Sequence, residues 1–118
     1  MIVGTGIDLI ELERIQSILA RQERFYTRVL TPKEQKLYLT LPKHGQIEFL
    51  AGRFAAKEAF SKAMGTGIGK KVSFQDLEIL PDTMNKPIAQ SKQFTGNIHL
   101  SITHSKQYAM AQVLLERE

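Results

Sequence analysis

From Gln46 to Met64 the chain carries one unbroken helical pattern that is apolar on two opposite sides. At about 100° per residue, Ile47, Leu50, Ala51 and Phe54 share one face, while Phe49, Ala56, Phe60 and Ala63 share the other. A helix apolar all round must be wrapped by the rest of its chain. With 118 residues there is material for one modest core and not two. The pattern therefore predicts a single α+β domain, residues 1–118, with a long central helix packed on an antiparallel sheet. Glu58 and Ser61 fall on the first apolar face, with Lys57 and Lys62 beside them. An ionised carboxylate in such a setting is strongly disfavoured unless it is paired or metal-bound.

The material that wraps this helix is legible on both sides of it. Ile2 to Asp8 reads as a strand whose glycines, Gly4 and Gly6, admit close approach of another backbone. A helical pattern begins at Glu11, with Leu12, Ile15 and Leu19 as its apolar stripe and Tyr26 extending it if the helix continues. Thr31-Pro32-Lys33-Glu34 has the form of a helix start, with Thr31 as N-cap and Glu34 completing a capping box. Leu41-Pro42 ends that helix. Gly65 caps the central helix and opens a flexible loop to Lys71. Strand-like segments follow at 72–80, 86–90, 98–103 and 108–115, with Ile98, Leu100 and Ile102 alternating toward one face.

A formal charge of +4 and a pI near 9.5 favour an anionic partner without naming it. The absence of cysteine excludes disulfide scaffolds, thiolate metal sites and cysteine nucleophiles. Asp8, Glu11 and Glu13 interrupt any signal-peptide core, and no apolar run approaches bilayer length, so the chain reads as cytoplasmic with no membrane role. Few aromatics interleave with the basic residues, which argues against a nucleic-acid partner.

Each candidate residue has a plain alternative. Glu58 could form an ordinary i,i+4 ion pair with Lys62, and Asp8 could be a carboxylate favoured by the start of the next helix. Taken together the two acids suit Mg²⁺, which binds one or two carboxylates and completes its shell with water and phosphate oxygens. Lys57, Ser61 and Lys62 would add donors to phosphate. Arg14, Arg21, Arg24 and Arg28 face only Glu23, so this stripe is either a solvated surface or a dock for an acidic protein. His104 reads equally as an exposed turn residue. The loop Gly65-Thr66-Gly67-Ile68-Gly69-Lys70 follows a helix and lacks the ending of a Walker motif, so it is no nucleotide loop.

Gly6-Ile7-Asp8, Phe54-Ala55-Ala56-Lys57-Glu58-Ala59-Phe60-Ser61-Lys62 and Leu100-Ser101-Ile102-Thr103-His104-Ser105 stand in order and at the usual separation of three signatures of one family. The chain resembles the phosphopantetheinyl transferases, in particular their short bacterial class. That resemblance implies transfer of the 4′-phosphopantetheine arm of coenzyme A to a serine of an acidic apo acyl carrier protein, in fatty acid biosynthesis. It implies Asp8 and Glu58 as Mg²⁺ ligands, with Glu58, directly or through water, as the candidate proton acceptor. It further implies Lys62 on the pyrophosphate, and Lys57, Ser61 and Gly65 around the coenzyme. Arg53 and His104 would lie at the 3′-phosphate, and Arg14, Arg21 and Arg24 on the carrier-facing helix. A homotrimer with sites between subunits is also implied. Ile10 stands where longer relatives carry a second acid, and Asn85 where many have glycine in a turn. A small basic nucleic-acid-binding module and a different Mg²⁺-dependent nucleotide transferase remain as competing readings.

Overall fold

A computed structural model describes residues 1–118. The chain opens with β1 (Ile2–Glu11), α1 (Leu12–Arg21), a 3-10 turn and the short α2 (Tyr26–Val29). Then come α3 (Pro32–Leu39) and the central α4 (Lys43–Ala63). A second 3-10 turn at Phe74–Asp76 leads into β2 (Glu78–Pro81), β3 (Pro87–Gln90), β4 (Asn97–His104) and β5 (Tyr108–Glu116). Strands β1, β5 and β4 form an antiparallel sheet in that order, and β2–β3 is a separate hairpin. The expected α+β architecture, a long helix on an antiparallel sheet, is the one observed.

Helix α4 is central because the sheet packs on one side of it and the remaining helices on the other. Leu50, Ala51, Ala55, Ala56, Ala59 and Phe60 are fully buried, as a helix apolar on both sides requires. Along β1 the positions of Gly4, Gly6, Asp8 and Ile10 face inward. A Cβ at Gly6 would overlap the Ala59 carbonyl oxygen and lie 2.9 Å from the Ala63 nitrogen. One at Gly4 would overlap the Ala63 carbonyl oxygen. Both glycines thus let strand and helix backbones touch, which sets where the next inward residue, Asp8, meets α4.

Local signals that involve only a few neighbours are realised as read. Thr31 caps α3 with the full capping box, Glu34 Oε1 accepting from the Thr31 amide at 2.8 Å. Gly65 takes φ +81° just beyond α4, and Asn85 takes φ 64° in the β2–β3 turn. Four boundaries differ. β1 runs on to Glu11, so Asp8 lies inside the strand and not at its end. α1 stops at Arg21 because Gln22 adopts φ −135°, ψ 85°, and Tyr26 stacks on Tyr38 at 4.6 Å instead of extending the stripe. α4 begins three residues early, after Pro42, whose missing N–H is no loss at a helix start. The strand expected from Val72 is confined to Glu78–Pro81, because Ser73 and Asp76 form a second capping box that winds the chain into a turn.

Candidate active site

Asp8 and Glu58 converge although 50 residues separate them in sequence. Asp8 comes from the inward register of β1, and Glu58 from α4, directly before Ala59, whose carbonyl Gly6 touches. Burial raises the Glu58 pKa above the ordinary carboxylate value, and the nearby Asp8 charge raises it further. Lys62 and Arg14 act in the opposite sense, so two acids and two cations share one locality. Arg14 reaches it from the first turns of α1. The i,i+4 ion pair between Glu58 and Lys62 does not form. Lys62 Nζ instead lies 3.0 Å from Asp8 Oδ1 and donates to the Ile7 carbonyl at 3.1 Å. Asp8 is largely covered, with 15% of its side chain exposed against 51% for Lys62.

The donor set fits a hard divalent cation. The two carboxylates lie near enough to feel each other's charge, with no cluster of three or more His, Cys, Asp or Glu about them, which suits a shell completed by water and substrate oxygens. The mutual repulsion that raises Glu58 is what a shared cation relieves.

This raised pKa has a stability consequence with a definite sign. A carboxyl that holds its proton more tightly folded than unfolded weakens the fold as pH rises through the window between its ordinary and raised pKa values. Glu58→Gln removes that penalty. The variant is expected to melt above the parent at pH 7, with the difference vanishing as pH falls below about 4. Paired thermal melts across pH 3–8 check this; a Gln variant less stable at neutral pH contradicts it.

Two of the residues expected around the coenzyme are turned away from the surface. Lys57 is 1% exposed, its Nζ 2.6 Å from Glu34 Oε1 and 2.7 Å from the Val29 carbonyl. Every reachable partner is internal, so the reading of Lys57 as a coenzyme contact is corrected. Helix geometry explains the difference, since neighbours on a helix point about 100° apart and only Glu58 faces β1. Ser61 is also 1% exposed. Its hydroxyl donates to the Glu58 carbonyl at 2.7 Å, and its carbonyl receives the Thr66 and Gly67 amides. It closes the end of α4, so the expectation of Ser61 as a coenzyme donor is likewise corrected.

Gly65 is exposed in open space one turn beyond Lys62. Arg53 lies about 7.5 Å back along the helix axis from Glu58, its guanidinium 4.1 Å above the Phe49 ring. One of its amines donates to the Ile79 carbonyl at 3.3 Å, while its Nε is buried without a partner. His104, at the end of β4, places Nδ1 3.2 Å from Glu48 Oε2, and Glu48 is about 15 Å along the axis from Glu58. One chain therefore gathers Asp8, Glu58, Lys62 and Arg14 at one place and holds Arg53 and His104 elsewhere. Arg14 and Arg21 are exposed on α1, whereas Arg24, expected on the same helix, lies exposed in the 3-10 turn beyond its end. The Glu34–Lys57 pair escaped sequence reading. Its signal was the capping-box glutamate, which looked fully explained by its helix end.

Two acids beside two cations on a small α+β fold are suited to a phosphorylated ligand. Residues 4–113 match the family model of the 4′-phosphopantetheinyl transferase superfamily. A holo-[acyl-carrier-protein] synthase of Shouchella clausii is 57% identical over 116 residues, covering 98% of this chain and 99% of the relative. One from Geobacillus kaustophilus is 56% identical over 117 residues, covering 99% and 91%. The crystal structure of the Bacillus anthracis synthase in complex with CoA (3′,5′-ADP) superimposes with a TM-score of 0.94 at 52% identity, covering 100% of this chain and 99% of that one. The Helicobacter pylori synthase in complex with coenzyme A gives 0.85 at 32% identity, covering 95% and 99%. The chain belongs to the 4′-phosphopantetheinyl transferase superfamily. Within it, the Geobacillus kaustophilus and Shouchella clausii relatives, matched over 91% and 99% of their length, are holo-[acyl-carrier-protein] synthases.

Proposed function

We propose that this chain transfers the 4′-phosphopantetheine arm of coenzyme A to a serine of an apo acyl carrier protein, with Mg²⁺, in fatty acid biosynthesis. The observation that carries the reading is the convergence of Asp8 and Glu58 beside Lys62 on a fold that relatives use around coenzyme A. The carrier serine Oγ attacks the phosphorus that bears the pantetheine arm, in line with the bridging oxygen. The new O–P bond forms as the bridging P–O bond breaks, and adenosine 3′,5′-bisphosphate departs. When bound, the cation held by Asp8 and Glu58 supplies charge neutralisation at the pyrophosphate. Lys62, at the exposed edge of the pair, stabilises charge on the leaving oxygen. Glu58, directly or through a water, takes the serine proton, since it is the carboxylate that α4 presents to the reacting locality. Gly65 lets the loop after α4 run past the ligand without a side chain in the way.

Incubation with coenzyme A, Mg²⁺ and an apo carrier protein, followed by mass spectrometry, tests the reading. The expected result is a carrier heavier by one phosphopantetheine arm. No mass gain, with tight salt-dependent oligonucleotide binding instead, would favour a nucleic-acid module.

Arg14, Arg21 and Arg24 support docking of the acidic carrier, because all three are exposed and Arg14 also reaches the Glu58 locality. Reversing Arg21 and Arg24 to Glu is expected to raise KM for the carrier about tenfold or more and flatten its salt dependence, with kcat nearly unchanged. Steady-state kinetics at two ionic strengths read this out. Unchanged KM removes the docking assignment.

The outer face of the three-stranded sheet supports self-association as a trimer with sites between subunits. Val3, Ile7, Leu9, Tyr108 and Met110 are 47%, 56%, 58%, 41% and 38% exposed. Leu9 pairs directly with Met110 and Glu11 with Tyr108, so these side chains form one apolar patch and not scattered singles. Leu9→Asp is expected to yield a monomer by analytical ultracentrifugation, with transfer lost. A trimer that survives the substitution contradicts the placement.

A further inference from the structure

We infer that the buried Glu34–Lys57 pair is a positioning device for the reaction, fixing the rotation of α4 so that Glu58 faces Asp8. The inference rests on the transferase reading above and adds two residues that touch neither substrate nor cation.

Glu34 and Lys57 are 0% and 1% exposed. Every oxygen of the glutamate is used: Oε1 accepts from Lys57 Nζ at 2.6 Å and from the Thr31 amide at 2.8 Å, and Oε2 accepts from the Ile79 amide at 2.8 Å. Lys57 donates again to the Val29 carbonyl at 2.7 Å. One point of α4 is thereby tied to the end of α2, the N-cap of α3 and β2. Thr31 adds a further bond from its hydroxyl to Glu78 Oε2 at 2.6 Å. The backbone of Ile79 is held at both of its polar groups, the N–H by Glu34 and the C=O by Arg53.

Such a pair is a poor way to gain stability, since apolar residues of similar volume do as well or better. It is a good way to set a direction. Elsewhere α4 buries Ala51, Gly52, Ala55, Ala56 and Ala59 beside Ile47, Leu50 and Phe60, apolar contacts that hold the helix in the core but carry no direction of their own. Side-chain ends lie about 5–6 Å from a helix axis, so a 20° rotation moves the Glu58 carboxylate by about 2 Å. Displacements of about 1 Å at reacting groups can lower rates about a hundredfold. Lys57 is the residue next to Glu58, which makes it the most direct handle on that rotation, and Arg53 shares the anchor through Ile79.

Single substitutions strand a buried charge, so the test is the double variant Glu34→Gln/Lys57→Met, which removes both charges together and keeps one oxygen, for either the Thr31 or the Ile79 amide. It is expected to fold, to keep KM for the carrier within about twofold, and to lose kcat by about tenfold or more. Its crystal structure is expected to show Glu58 displaced from Asp8 by about 1 Å or more. A folded double variant with parental kcat, or with Glu58 unmoved, overturns the inference. One that does not fold assigns the pair to stability and overturns it equally. If the parent chain itself transfers nothing, the functional reading fails while the Glu58 displacement alone still decides the positioning claim.

Discussion

Asp8→Ala and Glu58→Ala are each expected to leave a folded chain whose transfer rate has fallen by about 10²–10⁴. Folding should survive because neither carboxylate supports much of the structure. Asp8 makes one partly exposed ion pair, with Lys62, and such pairs contribute under about 1 kcal/mol. Glu58 sits where burial and the Asp8 charge already disfavour its ionised form, so losing it relieves the fold. Catalysis has no such tolerance, since phosphoryl transfer depends almost wholly on positioning and charge neutralisation. The two variants should differ in one respect. Asp8→Ala leaves Lys62 without its ion-pair partner, whereas Glu58→Ala leaves the Asp8–Lys62 pair in place. Full activity in either single variant, measured by mass gain on the carrier, would remove the metal assignment.

Gly6→Ala is expected to destabilise the protein by about 3 kcal/mol or more, with Tm lower by about 10 °C or more. The added methyl would overlap the Ala59 carbonyl oxygen and sit 2.8 Å from the Ala59 carbonyl carbon and 2.9 Å from the Ala63 nitrogen. All three are backbone atoms of a helix locked into the core, so no flexible side chain can yield. β1 would have to lift from α4, breaking its ladder to β5 or its contact with the helix. Asp8 lies two residues on in the same inward register, so whatever protein folds should also transfer more slowly. Calorimetry with parallel transfer assays separates the two effects. A loss of under ~1 kcal/mol would mean that the strand–helix contact is looser than described.

What could be read in advance shares a property: it depended on residues close together in the chain. The Thr31 capping box, the turn at Asn85, the exit at Gly65 and the buried stripes of α4 are all settled by spacing of a few residues. Even Gly6-Ile7-Asp8 announced a close backbone approach, because glycine alternating along an apolar strand has little other use. The errors lie at element ends and in ion pairing. The Ser73–Asp76 capping box was hidden in a segment rich in strand-forming residues, and its hydrogen bonds outweighed propensity. Glu58 and Lys62 fit a helical ion pair by spacing, yet Lys62 turned to Asp8, 54 residues away.

The site divides along the same line. Lys57 and Glu58 are adjacent charged residues on one helix, and nothing local says which one faces the ligand. The fold assigns Lys57 inward to Glu34 and leaves Glu58 half-buried beside Asp8. Sequence alone determined that a buried helix would carry charge, that a glycine strand would lie against a backbone, and that the chemistry would suit phosphate. The tertiary structure decided which carboxylate meets which cation. Helical and turn preferences act over a few residues, whereas the partner of a buried charge is chosen by whatever distant segment desolvates it.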